Sequence, residues 1–348
     1  MIERRDAGFL GTAARGAMLG RIGGRFSARI DWLLFILLGF MWGSSYLFIK
    51  IGVEAGLLPF TLIMLRLAIG FALLAVVVTI AREPLPRSAR PYGHLIVMSI
   101  INVVLPFALI TWAEQTVDSS FAAILNAAVP LFVIVIAAAF LRDERITVNR
   151  LAGLAVGFVG VAILVGFDAA DVVGGNGLAE LALIGSMVSY AISIVYAKRY
   201  VHGLRPMIPA VFQVGFALVI VTPLAFAFED PMSVSLTAEA LFAVVWLGLL
   251  GSGLAYLVYF RILSRWGATR TSLVAYLLPI FGIALGAVVL REPVDLRLLI
   301  GTAIVIGGVA LVNSRHRPRP SFGRAVPLRR NDLQAPARAE VSAGGCEP

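Results

Sequence analysis

The sequence contains few of the residues that soluble enzymes depend on. Only 14% of its 348 residues are charged, against roughly 25% in soluble domains, and 59% are apolar. It has three histidines and a single cysteine, Cys346, so no intrachain disulfide can form. A mean hydropathy of +0.92 is incompatible with a water-soluble surface. The composition therefore predicts a membrane protein and argues against a soluble helical bundle.

Catalytic and metal-binding motifs are absent as well. The chain has no HExxH zinc motif, no phosphate-binding glycine loop followed by Lys-Ser/Thr, and no Gly-x-Ser-x-Gly. His94 and His202 fall at predicted helix ends and His316 in the C-terminal tail, away from any serine or metal partner. No aspartate lies in the middle of an apolar segment. We therefore expect no enzyme activity, no metal and no cofactor.

Long apolar runs are what the sequence does contain. Ten of them approach the roughly 20 residues that an α-helix needs to cross about 30 Å of hydrocarbon. The predicted fold is an all-α polytopic membrane protein with ten transmembrane helices. The predicted spans are residues 32–51, 59–81, 92–113, 118–140, 149–167, 178–197, 208–228, 238–260, 268–290 and 296–313.

Basic residues predict the orientation. Of the 29 lysines and arginines, 25 fall in the two tails and in the loops after spans 2, 4, 6 and 8, whereas the opposite side carries only Arg291 and Arg297. Positive charge accumulates on the cytoplasmic side, so both termini are expected in the cytoplasm. The net charge of +9 thus reflects membrane topology, and no nucleic-acid partner is expected. We expect a flexible N-tail over 1–31 and a disordered basic C-tail over 315–348.

The Arg4-Arg5 pair in the N-tail also fits the start of a twin-arginine export signal. No apolar segment follows it within the tail, which favours a cytoplasmic tail over a signal.

The chain repeats itself with an offset of 148 positions. That offset separates Glu144 from Glu292, and it also relates Gly153 to Gly301, Gly160 to Gly308, Trp42 to Tyr190 and Lys50 to Lys198. An offset kept over whole helical hairpins indicates an internal duplication. The predicted repeats, 32–167 and 168–314, hold five spans each, and an odd number inserts the second copy upside down. Inverted repeats are a transporter architecture with the substrate site near the midplane.

Two prolines inside spans are candidate hinges. Pro130 and Pro279 occupy matching places in the two repeats, 149 positions apart. Each removes a backbone hydrogen bond to the carbonyl four residues earlier, that of Asn126 or Ala275. In a bilayer such a carbonyl must face a polar cavity or another helix. The alternative is a pair of kinks needed only for packing.

Intramembrane charge marks a second set of candidates. Arg66 lies seven residues into span 2, roughly 10 Å deep at about 1.5 Å per residue, and a charge at depth requires a partner or water. It either contacts an anionic group of the substrate or forms a structural ion pair, for which Glu54, Glu114 and Asp118 lie near the same face. Lys50, at the outer end of span 1, either contacts substrate or extends to the interface.

Polar and aromatic residues within the spans complete the candidate cavity. Buried Tyr and Trp need partners for their OH and NH groups, so they tend to line wet regions. Helix–helix contact is the alternative for each polar residue, among them Asn102, Ser189, Ser193 and Gln213. Glycines four residues apart permit close approach of two helices and are compatible with a homodimer. The predicted cavity residues are Trp42, Asn126, Tyr190, Tyr256 and Tyr276.

Several segments resemble the EamA branch of the drug/metabolite transporter superfamily over roughly residues 32–314. The stretch Ala113-Glu114-Gln115 through Asn126 and Pro130 is similar to the family's junction of spans 3 and 4. Tyr276-Leu277-Leu278-Pro279 and Leu290-Arg291-Glu292-Pro293 are similar to its later block, and Trp42-Gly43 and Arg66 occupy the family's Trp-Gly and Arg positions. The family's usual Leu-Gly-Glu turn reads Arg142-Asp143-Glu144 and Arg291-Glu292-Pro293 here, without the glycine.

The resemblance implies ten helices in two inverted repeats around a central cavity. It also implies transport of small metabolites, such as amino acids or drugs, across the cytoplasmic membrane by alternating access. We expect an exporter and leave proton coupling open, because no buried carboxylate is predicted. A passive facilitator or channel is the alternative, followed by a polytopic membrane enzyme or a non-transporting scaffold.

Overall fold

The computed structural model describes residues 6–140, 147–165, 176–201, 203–205, 207–266 and 271–313, which form helices and turns with no strand. The first five helical segments are α1 (Asp6–Glu54), α2 (Pro59–Ile80), α3 (Arg90–Ala113), α4 (Ser119–Phe140) and α5 (Val148–Val165). The other five are α6 (Asn176–Tyr200), α7 (Met207–Phe228), α8 (Ala238–Trp266), α9 (Ser272–Leu290) and α10 (Leu296–Asn313).

These helices have the length and composition of membrane spans. Within the described ranges, nine of them hold apolar stretches of at least 18 residues, and α10 contributes a shorter apolar stretch, Leu296–Val312. In α1 the apolar stretch is Ile30–Glu54. Large apolar side chains such as Val148, Phe228 and Val288 are exposed on the outside, where lipid would solvate them. The predicted all-α polytopic fold is confirmed.

Four helices depart from regular α geometry. Helix α3 contains a π-helical segment at Ile100–Val104, and α8 contains a longer one at Leu247–Leu254. Helix α4 is interrupted between Asn126 and Val129. Helix α9 begins as a 3₁₀ helix, continues as an α-helix from Leu277 and ends in a π segment from Gly286. Irregular backbone inside a membrane requires polar partners, so these segments indicate where polar groups gather.

Helices α5 and α10 cross at glycines. A Cβ added to Gly153 would lie 2.6 Å from the carbonyl oxygen of Gly308, and one added to Gly308 would lie 2.5 Å from the backbone nitrogen of Gly157. Further along, a Cβ on Gly160 would lie 2.7 Å from the nitrogen of Val305. Contacts that advance along α5 while they retreat along α10 describe an antiparallel pair in which only glycine fits.

Charged side chains cap three helix ends. Glu229 accepts hydrogen bonds from the backbone nitrogens of Phe60 (2.9 Å) and Thr61 (2.7 Å) at the start of α2. Glu292 caps the start of α4, and Arg297 donates to the carbonyls of Ile163 (2.9 Å) and Leu164 (2.7 Å) at the end of α5. Each cap places a charge where it offsets the helix dipole and satisfies groups that the helix leaves unpaired.

The turn after α9 forms without the glycine of the family pattern. Arg291 itself adopts the left-handed conformation (φ 56°, ψ 33°) that glycine would take at a helix C-terminus. This conformation costs an L-residue about 1–2 kcal/mol. The next residue, Glu292, is then directed onto α4. The contact between Glu292 and α4 therefore requires a strained backbone at Arg291. The equivalent turn at 142–144 and the C-tail 315–348 lie outside the described residues.

Candidate functional site

Arg66 is the most deeply buried cation among the described side chains. Its guanidinium is 3% exposed, its Nε and Nη2 lie 3.3 and 3.2 Å from the hydroxyl of Ser252, and it stacks over the ring of Phe107 at 4.2 Å. Ser252 belongs to the π segment of α8, so the arginine joins α2 to the irregular part of that helix. In the described part of the chain, no carboxylate lies within 4 Å of Arg66.

Three tyrosines surround this charge. Arg66 lies close enough to Tyr46, Tyr190 and Tyr256 for its charge to interact with their hydroxyl groups. The Tyr46 hydroxyl accepts a hydrogen bond from the side-chain amide of Asn126, which sits at the interruption of α4. The predicted residues Asn126, Tyr190, Tyr256 and Arg66 thus belong to one group, which we call the central cluster, together with Tyr46 and Ser252.

Trp42 borders the central cluster on the side toward the N-terminal end of α1. Its ring lies 6.4 Å from that of Tyr256 and 5.4 Å from that of Tyr259, in edge and tilted arrangements. Tyr276 ends the 3₁₀ segment of α9 and packs on the same apolar core as Trp42 and Tyr190. These aromatic rings are half-buried, so they offer faces to a solute that enters between the helices.

Lys50 is attached to the loop between α3 and α4. Its ammonium donates to the carbonyls of Glu114 (2.9 Å) and Val117 (3.0 Å) and lies 3.9 Å from a carboxylate oxygen of Glu54. Only 12% of the Lys50 side chain is exposed. It therefore does not extend into solvent, as a lysine at the end of a membrane span was expected to do. Its position is outside the central cluster, at the end that the charge distribution predicts to be external.

Glu114 corrects the expectation that no carboxylate is buried. It directly follows α3 and is 0% exposed, and neither of its carboxylate oxygens has a hydrogen-bond partner in the described structure. The expectation was wrong because Glu114 lies beyond the predicted span, where the sequence suggests solvent. The next residues instead turn back at the end of α3, where the nitrogens of Thr116 and Val117 donate to the carbonyl of Ala113 (both 3.0 Å).

A second polar network joins three helices. Asn102, in the π segment of α3, donates to Gln213 of α7 (2.9 Å) and accepts from Ser193 of α6 (2.7 Å). Ser189 donates to the carbonyl of Ile101 (2.7 Å), a backbone group inside the π segment. These side chains connect helices, as the helix–helix contact alternative predicted.

Both predicted hinge prolines follow irregular backbone. Before Pro130, Ala127 and Ala128 donate to carbonyls three residues back (3.0 and 2.9 Å), and the α-helix resumes at Val129. Before Pro279, the 3₁₀ segment ends at Tyr276 and the α-helix begins at Leu277. The interruption of α4 adjoins the central cluster through Asn126.

We expect Pro130→Ala and Pro279→Ala each to slow transport roughly tenfold, the effect of shifting a two-state equilibrium by about 1.4 kcal/mol. Alanine restores the missing N–H and favours continuous helix, so thermal stability should not fall. Flux into proteoliposomes, alongside a melting curve, measures both. Pro223→Ala, at a proline inside α7 without a counterpart in the other repeat, is the matched control. Undiminished flux in the double variant would contradict the hinge hypothesis.

Tyr46, Ser252 and the burial of Glu114 were not predicted from the sequence. Tyr46 was detectable, because it lies one helical turn after Trp42 on the same face of α1. Ser252 is 186 residues from Arg66, and no local pattern indicates that a π segment brings them together.

Chemically, the central cluster offers a cation, three phenol rings and the unpartnered side-chain oxygen of Asn126 inside an apolar bundle. The side-chain oxygens of Asn126 and Thr111 are buried without hydrogen-bond partners among the described residues, like those of Glu114. Such groups suit a small solute that carries both charged or polar and aromatic or apolar parts. Within the same described ranges, no group of three His, Cys, Asp or Glu side chains could hold a metal.

Comparison with known proteins places the architecture in context. The sequence pattern of the EamA-like transporter family matches residues 30–166 and again residues 177–314. The uncharacterized transporter YoaV of Bacillus subtilis is 24% identical over 269 residues, which cover 77% of this chain and 91% of YoaV. The uncharacterized inner membrane transporter YedA of Escherichia coli is 28% identical over 276 residues, 78% of this chain and 87% of YedA.

The fold also has a solved counterpart. A crystal structure with 22% sequence identity superposes with a TM-score of 0.53 and covers 81% of this chain and 96% of its own. At that identity the likeness concerns the fold alone.

Proposed function

Because the chain belongs to the EamA-like transporter family and is a multi-pass protein of the cell membrane, we propose that it exports small organic metabolites, such as amino acids or drugs, as a secondary transporter. The observation that carries the proposal is the central cluster. A buried guanidinium without a carboxylate partner, placed among tyrosines and beside helix interruptions, suits a binding site better than a packing device.

The proposed mechanism is alternating access between two inverted repeats with both termini in the cytoplasm. The glycine crossing of α5 and α10 supports this arrangement. A shift of 148 residues converts the approach of Gly153 to Gly308 into the approach of Gly301 to Gly160, and a Cβ on Gly301 indeed lies 3.4 Å from the carbonyl oxygen of Gly160. Contacts that exchange in this way are expected of two halves related by a twofold axis in the membrane plane.

Two steps test this function. First, metabolite profiles of cells with and without the protein should differ in a few solutes that accumulate when the protein is missing. Second, proteoliposomes loaded with such a solute should show counterflow, in which unlabelled solute inside accelerates entry of labelled solute. Flux that ignores the opposing solute would indicate a channel, and a new chemical product would indicate an enzyme.

A tryptophan pair serves as a matched control for the site. Trp42→Leu removes a ring that contacts Tyr256 and Tyr259 and should reduce counterflow, whereas Trp112→Leu alters a ring that is 44% exposed on the outside of α3. Equal counterflow in the two variants would exclude Trp42 from the solute site, and no counterflow in the wild type would favour a scaffold over a transporter.

A further inference from the structure

The carboxylate of Glu114 has no role in the helix caps or in the central cluster. Its side chain is 0% exposed, and both oxygens are without a hydrogen-bond donor in the part of the chain that is described. A buried ionised carboxylate without a partner is unfavourable by several kcal/mol. A group in this position therefore either acquires a partner or takes up a proton.

The neighbouring cations are engaged elsewhere. Lys50 donates to the backbone carbonyl of Glu114 itself and to that of Val117, and no ion pair joins it to the Glu114 carboxylate. Arg66 is directed to Ser252. The charges of Lys50 and Arg66 reach Glu114 only at a distance, and the same holds for the carboxylate of Glu292 and the hydroxyl of Tyr46.

The nearby uncharged side chains form no hydrogen bond with the carboxylate either. Thr111 lies three residues before Glu114 on the same face of α3, and its hydroxyl oxygen has no described partner. The side-chain oxygen of Asn126 is a further buried acceptor without a donor among the described residues. Protonation would give one oxygen of Glu114 an O–H donor, and the unpaired oxygens of Thr111 and Asn126 are acceptors in the same region.

Electrostatics favours the neutral form. Burial raises the pKa of the Glu114 carboxyl well above its usual range, and Glu292 adds to the rise. The charge of Lys50 opposes it, and so does the backbone N–H of Lys50, which lies nearby without the geometry of a hydrogen bond. Asp118, at the start of α4, also has a raised pKa, owing to partial burial and to Glu292. Asp118 lines a cavity of about 260 Å³ at the predicted external side, together with Thr116, Glu180, Asp295 and Arg297. Thr116, Val117 and Asp118, which line this cavity, belong to the loop that directly follows Glu114.

We propose that Glu114 is a proton-binding site of the transporter, occupied at neutral pH and in exchange with the cavity that Asp118 lines. The step is a simple transfer, in which the carboxylate takes a proton from hydronium and leaves water, and later returns it. A role in coupling the proton to solute movement rests on the proposed function. The binding of the proton itself does not.

Infrared spectroscopy of the purified full chain in lipid nanodiscs tests the proposal without any solute. A C=O band of a protonated carboxyl group should persist at pH 7, although an ordinary glutamate titrates near pH ~4.3. The band should shift in D₂O and disappear in Glu114→Gln. It should remain in Glu239→Gln, which alters an exposed carboxylate in the first turn of α8.

A second variant keeps the test decisive if Glu114→Gln does not fold. Lys50→Met removes the nearest cation, so the band of Glu114 should titrate at a higher pH than in the wild type. A wild-type protein without a protonated carboxyl band at pH 7 would overturn the proposal. So would an unchanged band in folded Glu114→Gln. The infrared measurement needs no solute flux. Its result is therefore independent of whether a transported solute is found.

Discussion

Replacing Glu292 by glutamine is expected to lower the melting temperature of the purified protein by roughly 10 °C. Its carboxylate accepts from the nitrogen and hydroxyl of Ser119 (2.8 and 2.7 Å) and from the nitrogen (3.0 Å) and hydroxyl of Ser120. Glutamine presents an amide nitrogen, which cannot accept, to one of these pairs. Two lost bonds of about 1.5–3 kcal/mol each give about 3–6 kcal/mol.

The geometry around Glu292 leaves little room for relief. The side chain is 9% exposed, and the donors lie at the positive end of the α4 helix dipole. A Cβ on Gly286 would collide with the carboxylate, so the helix before the turn also holds it in place. Water therefore has poor access to the vacated acceptor position, and the full desolvation cost should appear in the melting curve.

Two controls separate capping from charge in general. Glu239→Gln removes an exposed charge in the first turn of α8 and should change the melting temperature by little. Glu229→Gln removes a cap of the same kind from α2, but in a half-buried position, so its effect should be intermediate. A wild-type melting temperature for Glu292→Gln would contradict the capping role.

The helices and the polar groups differ in how well the sequence predicts them. Hydropathy measures directly the length of helix that lipid can solvate, so the ten predicted segments lie within a few residues of the apolar stretches in the observed helices. Helix α1 itself extends further, to Asp6, because hydropathy does not indicate where a helix continues outside the membrane. Pro130 and Pro279 also indicate irregular backbone near their positions, because proline lacks the N–H that the helix requires. Apolar helix length and proline interruptions are both set by residues that lie close together in the sequence, so they can be predicted from it.

The partners of the buried polar groups depend on contacts between distant parts of the chain. Arg66 was predicted either to contact an anionic group of the substrate or to form an ion pair with a carboxylate. In the structure it bonds Ser252, which a π segment of α8 presents. Glu292 was predicted only as part of a turn, although it is bonded to serines 172 and 173 residues earlier. Glu114 could not be predicted as buried, since its burial depends on how the loop to α4 packs.

Arg66→Met is expected to reduce counterflow of the identified solute by roughly a hundredfold while the melting temperature stays at or above that of the wild type. A buried charge that binds an anionic group of the solute contributes about 2–5 kcal/mol to binding. The substitution removes this contribution, so transport slows. In the protein alone the same charge is buried without a carboxylate partner, and apolar replacements of such groups are often neutral or stabilising. Counterflow should therefore fall, whereas the melting temperature should not.

Arg66→Lys distinguishes the form of recognition. Lysine keeps the charge but lacks the planar fork, so bidentate binding of a carboxylate or phosphate should remain strongly impaired. Arg297→Met provides the inverse control: that arginine bonds the carbonyls of Ile163 and Leu164, so its loss should lower the melting temperature and leave counterflow of the folded fraction intact. If Arg66→Met instead unfolds the protein, the arginine serves packing, and the solute must be bound by the tyrosines and the amide of the central cluster.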